Sequence, residues 1–380
     1  MAKTLQGLEH ELAKELQQTG AMDVRVVKRG VTFVGDLGFM YKANLWVRTA
    51  LRILVPIKQF KANNEEEIYE QIKEIAWEEL FDKNKTILVD TTVFAQQYRN
   101  TLFLAQKVKD GIADRFREKV GSRPSVDTKD PDVRIDLYVH KDNVVVSMDS
   151  SGSSLHKRGY RTAADVAPIN EVLAAGMLRM AGWKGLGNLI DPMCGSGTFL
   201  IEGALIAQNI PPGVFRKGFA FQNWKNFDED LYKLIFEKAL EKEKAFHYSI
   251  LGFDKEPRAL MKARANIKSA LMEEVIKLEK SDFLNFKSSR PVQRPGFIVF
   301  NPPYGIKLEA DIPELYQGIG NTLKRDFSGF TAWMITSSQE GLKNVGLRPS
   351  FKLEVNNGGL QSWLVRYDLY EGSKKVKKNE

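Results

Sequence analysis

Gly187-Asn188-Leu189-Ile190-Asp191-Pro192-Met193-Cys194-Gly195-Ser196-Gly197-Thr198 reads as a short strand, a glycine loop, and then a helix from Phe199 to about Ala207. Glycines admit positive φ and let the backbone approach a ligand closely, and the start of a helix offers unpaired N–H groups. A dinucleotide site is one reading. Against it, the third glycine of the dinucleotide fingerprint is absent, and Asp191 at the strand end would repel a pyrophosphate. A cationic ligand suits that acid better.

The same strand–helix rhythm continues downstream. His247 to Phe253 reads as a strand ending in Asp254-Lys255-Glu256, and Pro257 to about Leu271 as the next helix. An acid at the carboxyl end of the second strand is placed to take ribose hydroxyls, and Asp254 fills that position. Its separation from the glycine loop exceeds the roughly 20 residues usual in such folds. An insertion from Ile210 to Lys244 accounts for the difference. It opens with the chain break Ile210-Pro211-Pro212-Gly213, continues with Phe215, Phe219, Phe221 and Trp224, read as packing aromatics, and starts a helix at Asp228. A further candidate strand leads to Ser281-Asp282-Phe283.

Phe297-Ile298-Val299-Phe300 is an apolar run of strand length that stops at Asn301-Pro302-Pro303-Tyr304-Gly305. Pro302 keeps a carbonyl but has no N–H, and both prolines fix φ, so a backbone acceptor is presented with little freedom to move. The Asn301 side-chain oxygen is a second acceptor. Two acceptors gripping the hydrogens of an aromatic amine would aim its lone pair outward, and Tyr304 could stack on the ring. Asn-Pro after a strand is also an ordinary turn signal. Tyr316 to Phe327 then reads as helix, Thr331 to Thr336 as strand, and Phe351–Val355 with Leu360–Leu369 as a hairpin turning at Asn356-Asn357-Gly358-Gly359.

The first half reads as two small α+β units. Leu8, Leu12 and Leu16 line one face of a helix from Gly7, and valines on either side of Arg29-Gly30 predict a hairpin. Leu45 to Ile57 reads as a helix passing into a strand. Asn64 to Leu80 reads as one helix opened by acids, Thr86 to Phe94 as a strand, and Thr101 to Val120 as a helix carrying Lys107 and Lys109. Val133 to Val139 and Val144 to Met148 form the next strand pair. Ser150 to Arg161 begins with small polar residues and ends in cations around Tyr160, as a flexible connector entering a nucleic-acid contact would, or a plain interdomain linker.

Composition bounds the function. The chain has 380 residues, with 56 Lys+Arg against 48 Asp+Glu for a formal +8. That balance suits an acidic partner such as nucleic acid, or a generally basic surface. One cysteine excludes an internal disulfide, and His10, His140, His156 and His247 lack ligand spacing, so no metal is expected. The sequence shows no signal core and no long apolar run, so a cytoplasmic protein with no membrane span is expected.

Three stretches carry a resemblance. Lys107-Val108-Lys109-Asp110 and Pro131-Asp132-Val133-Arg134-Ile135-Asp136-Leu137 resemble the THUMP domain of RNA-modifying enzymes, which, paired with a ferredoxin-like unit, holds RNA. Leu155-His156-Lys157-Arg158-Gly159-Tyr160-Arg161, with Ala167-Pro168-Ile169-Asn170-Glu171 and a helix through Met180, resembles the entry to the catalytic domain of THUMP-containing guanine-N2 methyltransferases. Asp191 to Thr198 is similar to motif I of amino-methyltransferases. Nearly the whole chain is thus similar to the THUMP-containing RNA guanine-N2 methyltransferases, most of all to the domain that modifies bacterial 23S (large-subunit) ribosomal RNA.

That resemblance implies an α/β protein. A class I, Rossmann-like methyltransferase domain with a mostly parallel seven-stranded sheet and an antiparallel C-terminal hairpin would follow α+β ferredoxin-like and THUMP domains. The expected boundaries are 1–60 ferredoxin-like, 61–155 THUMP, 156–167 basic linker, 168–372 methyltransferase and 373–380 a disordered basic tail. Some members fuse a second methyltransferase acting at guanine N7, and none is expected within this sequence. S-adenosylmethionine is the implied cofactor, held by Pro168, Asp191, Cys194, Gly195, Gly197, Thr198, Asp254, Lys255, Asp282, Phe283 and Asn301. Asn301, Pro302, Pro303 and Tyr304 are the implied catalytic set. Lys107, Lys109, Lys157, Arg158, Tyr160 and Arg161 are the implied RNA contacts, with no obligatory protein partner. A transfer-RNA guanine, adenine N6 in DNA, and an RNA-binding or assembly factor without activity are the other readings.

Overall fold

In the computed structural model the described residues are 1–98, 100–163, 168–289, 296–303 and 312–370. Tyr304, Gly305, Ala167 and the 373–380 tail lie outside them. The first half holds β1 (Ala2–Lys3), α1 (Glu9–Thr19), β2 (Met22–Val27), β3 (Gly30–Val34), α2 (Leu37–Trp46) and β4 (Arg52–Lys61). It continues with α3 (Glu65–Lys73), α4 (Trp77–Leu80), β5 (Ile87–Phe94), α5 (Thr101–Val120), β6 (Val133–His140) and β7 (Asn143–Asp149). The seven strands make one sheet in the order β2-β3-β1-β4-β7-β6-β5. β4 pairs with β1 at one end and with β7 along the rest, so one strand stitches the two expected α+β units together.

Two readings of this half are corrected. The helix read into Leu45–Ile57 lies upstream, because Asp36 accepts from the Phe39 N–H at 2.7 Å and starts α2 at Leu37. The single helix from Asn64 to Leu80 is two, α3 and α4, broken between Lys73 and Trp77.

The second half holds α6 (Glu171–Met180), β8 (Asn188–Asp191), α7 (Thr198–Ala207), α8 (Glu229–Leu240), β9 (Ile250–Asp254), α9 (Pro257–Ser269) and β10 (Ile276–Lys280). It ends with β11 (Gly296–Phe300), α10 (Ile312–Asp326), β12 (Thr331–Thr336), α11 (Gln339–Asn344), β13 (Phe351–Asn357) and β14 (Leu360–Asp368). The sheet runs β10-β9-β8-β11-β12-β14-β13, parallel through β12 and antiparallel at β14 and β13. One face packs with Leu173, Leu200 and Ala263 from α6, α7 and α9, the other with Tyr316, Leu323 and Phe327. The chain turns back at β8, going first to β9 and β10 and then to β11 on the opposite flank. That reversal opens the crevice in which doubly wound sheets bind ligands.

The halves share their cores. Leu5 and Leu8 from the N-terminus are buried in the core of the second half, while Phe219, Phe221 and Trp224 of the insertion are buried in the first half. The Tyr41 ring of α2 lies 4.6 Å from that of Phe221, tilted by 32°, and its hydroxyl accepts from the Asp228 N–H at 2.9 Å. The insertion's aromatics are therefore packing, as read. The connector is tied down by hydrogen bonds. Arg216 donates to the carbonyls of Ser151, Ser153, Ser154 and Lys157 at 2.7–3.1 Å, pinning the strap to the insertion. Gly159 makes the approach possible: its φ is +109°, and a Cβ there would sit 2.0 Å from the Phe215 carbonyl oxygen.

Candidate active site at the carboxyl edge of the second sheet

Ile190 on β8 pairs with Leu251 on β9 and with Ile298 on β11. Asp191 and Asn301 therefore leave neighbouring strands at the same edge, one on each side of the crevice. Between β8 and α7 the loop bends through Gly195 (φ +51°) and Gly197 (φ +83°), which are costly angles for any residue with a Cβ. No side chain among the described residues caps α7 at Gly197, so the N–H groups of its first turn lack a capping acceptor.

Asp254 at the end of β9 holds the loop: one carboxylate oxygen accepts from the Gly195 N–H and the other from the Glu256 N–H, both at 2.9 Å. Lys255 follows it, exposed. Asp191 is 2% exposed, and burial, added to the nearby Asp254 charge, pushes its carboxyl well above the usual carboxylate range. Such a group calls for a cation. Asp282 is exposed after β10 and accepts from the Leu284 N–H at 3.1 Å. Phe283 is spent on the core, ring-to-ring with Phe300 at 5.6 Å and Phe327 at 5.8 Å, so its side chain is not free for an adenine. Burial likewise raises the Cys194 thiol, which suits packing rather than nucleophilic attack.

The Asn301 side-chain oxygen is buried with no hydrogen-bond partner among the described residues. An unsatisfied buried carbonyl is costly, and a donor from a ligand is what relieves it. Pro302 is buried and Pro303 exposed beside it.

The strap from Arg158 to Ala163 corrects the expected RNA contacts. Arg158 and Tyr160 are 2% and 1% exposed, and both reach Glu202 of α7, at 3.3 Å and 2.9 Å. Neither can reach a nucleic acid. Arg161 binds Glu171, Ser196 Oγ and Thr198 Oγ1 at 2.7–3.0 Å, so it braces the glycine loop. Asn266 of α9, 1% exposed, donates to the Ser196 carbonyl and accepts from the Thr162 and Ala163 N–H groups. Asn266 escaped the sequence reading, although a polar residue between Ala263 and Ile267 on a helix's apolar face was a visible signal. Lys157 is exposed. Pro168 is exposed too, beside Ile169, whose carbonyl accepts from Arg161 at 3.4 Å. Lys107 and Lys109 are ion-paired with Glu66 and Asp110. No helix among the described residues is long and apolar enough to cross a membrane.

The family model for an RMKL-like methyltransferase domain matches residues 158–365, a THUMP domain matches 62–149, and an RlmL ferredoxin-like domain matches 1–54. A "putative RNA methyltransferase" of Synechocystis is 38% identical over 97% of this chain and 96% of its own length. The ribosomal RNA large subunit methyltransferase K/L of Methylococcus capsulatus is 41% identical over 96% of this chain, which spans 50% of that protein. The crystal structure of a "putative methyltransferase" complexed with SAH superposes with a TM-score of 0.86 at 29% identity, covering 98% of both chains. A catalytic-domain match over more than half the sequence, and a relative shared almost end to end, lead to one conclusion: the chain belongs to the RMKL-like methyltransferases, with ferredoxin-like and THUMP domains ahead of the catalytic one.

Proposed function

We propose that the protein transfers a methyl group from S-adenosylmethionine to the N2 amine of a guanine in large-subunit ribosomal RNA. The observation that carries this reading is the buried Asn301 oxygen, without a partner among the described residues, across the crevice from Asp191 and the glycine loop. The donor set fits the cofactor: a buried acid for an ammonium, a glycine loop for close approach, and an acid after β9 for ribose hydroxyls. When bound, the cofactor supplies an electrophilic methyl on a sulfonium. The chain's own part is to hold the amine. Asn301 Oδ1 and the Pro302 carbonyl would accept hydrogen bonds from its two N–H groups, withdraw its lone pair from conjugation and fix it in line. As the N–C bond forms, the methyl–sulfur bond breaks to leave a neutral thioether, and the amine gives up one proton to solvent. Tyr304 is assigned to stack on the turned-out base. Arg161 and Asn266 keep the loop in position.

The test is methyl transfer to unmodified transcripts of 23S ribosomal RNA and transfer RNA, and to duplex DNA, followed by nucleoside analysis. N2-methylguanosine from the 23S transcript alone is the expected product. Methylated transfer RNA would move the assignment to that substrate, and N6-methyladenine in DNA would overturn it.

Asp191 gives a second expectation. A bound ammonium favours its carboxylate, so the bound-state pKa falls below the raised free-state value, and binding expels a proton between the two. Cofactor affinity should therefore climb as pH rises above the ordinary carboxylate range and level off above the free-state pKa. Calorimetry across pH reads this, and Asp191→Asn should weaken binding and flatten the climb. A wild-type affinity indifferent to pH would remove Asp191 from the ammonium site.

A further inference from the structure

Of the five cations on α5 in the THUMP half, four are spent. Lys107, Lys109, Arg115 and Arg117 all pair with acids within that half, at 2.6–2.9 Å. On α9 the balance is different. Between Lys255 and Lys268 stand five cations against one acid, Glu256, a net +4 in a chain whose whole formal charge is +8. Arg258, Arg264 and Lys268 are exposed and have no ion pair or side-chain hydrogen bond among the described residues. Arg264 and Lys268 stand four residues apart, where like charges work against a helix, so an outside anion would offset a repulsion that the protein leaves uncompensated.

The inner face of α9 is buried through Ala259, Leu260, Ala263 and Ile267, which turns the three cations outward along ~15 Å of helix axis. At its far end Arg264 and Lys268 line a groove of about 380 Å³ beside the edge strand β10, with Lys277 opposite and Glu273 as its one acid. Its near end follows Asp254, whose carboxylate holds the glycine loop, and Asn266 ties the helix body to the same loop at Ser196.

We infer that the outer face of α9 is a phosphate-binding surface that leads the RNA backbone away from the active-site edge, from Arg258 beside Asp254 to Arg264 and Lys268 at the amino-terminal end of β10. The inference rests on the RNA-substrate reading above. Phosphate held on α9 is in register with the site because the helix and the glycine loop share Asp254 and Asn266. Backbone contacts of this kind position a strand without reading its sequence, so the choice of nucleotide lies elsewhere.

The test uses the full chain carrying Arg258→Ala, Arg264→Ala and Lys268→Ala, with an unmodified 23S transcript as probe over a range of salt. Affinity should drop about tenfold or more at low salt, and the slope of log affinity against log salt should shrink by about 2 to 3, one phosphate contact per cation. Cofactor affinity should stay as in wild type. Unchanged RNA affinity with an unchanged salt slope overturns the inference, as does a parallel loss of cofactor binding, which would place these residues in the cofactor site instead. A wild-type chain that binds the cofactor but no RNA would overturn the substrate reading itself, and the two failures are told apart by that control.

Discussion

Asn301→Ala is expected to lower kcat by about 100- to 1,000-fold, the loss typical when one group that stabilises developing charge is deleted from a preorganised site. The amine's lone pair is available only while both of its hydrogens are held, so the lost contact is one made most strongly in the transition state, and KM for RNA should change little. The structure adds a prediction about stability with the opposite tendency. Because the Asn301 oxygen has no partner among the described residues, deleting it breaks no hydrogen bond there and removes a buried unsatisfied acceptor. The variant should therefore unfold at the same denaturant concentration as wild type, or slightly above it. Cofactor affinity, carried by Asp191, Asp254 and the glycine loop, should persist in calorimetry. Retained turnover would remove Asn301 from the chemistry, and a large stability loss would show that its oxygen has a structural partner.

The catalytic half was legible because each of its signals is local. Apolar runs of strand length stop at Asp191, Asp254 and Asn301, and the structure ends β8 at Asp191, β9 at Asp254 and β11 just before Asn301. Asn357-Gly358-Gly359 likewise turns β13 into β14, with the Gly359 N–H donating to the Asn356 side chain. Elements that exist only through distant partners were not legible. β1 is two residues long, too short for any period, and stands between β3 and β4 only because both pair with it. α2 is buried on several sides through Met40, Tyr41, Ala43, Asn44 and Leu45, so it shows no polar stripe to mark its extent. The RNA contacts expected of Arg158 and Tyr160 were misread for a related reason. A basic cluster around a tyrosine reads alike whether it faces phosphate or a buried acid, and the acid here lies 44 residues from Arg158. Its signal was Glu202 itself, the one charged residue in the apolar helix Thr198–Ala207.

That buried pair carries the second large effect. Arg158→Met should destabilise the protein by about 3–5 kcal/mol, the usual consequence of removing one partner from a fully buried ion pair. The Arg158 and Glu202 side chains are 2% and 0% exposed, so water cannot replace the guanidinium. Glu202 would keep only the Tyr160 hydroxyl, while the carbonyls of Leu155 and Arg48, which accept from Arg158 at 2.8 and 2.6 Å, would lose their donor. Arg48 in turn donates to the carbonyls of Leu205 and Ile210, so the network joins the first half, the strap and α7. The loss should accordingly loosen the seating of the two halves as well as lower stability. Arg158→Met with Glu202→Leu should recover part of the loss, because the carboxylate is no longer left facing a missing guanidinium, although the two carbonyls and the Tyr160 hydroxyl remain unpaired. Denaturant unfolding of the single and double variants measures the coupling, and RNA binding below the unfolding transition separates the two roles. A structural Arg158 predicts lost stability with RNA affinity kept by the folded molecules. Full stability with weakened RNA binding would restore it to the interface, against the burial seen here.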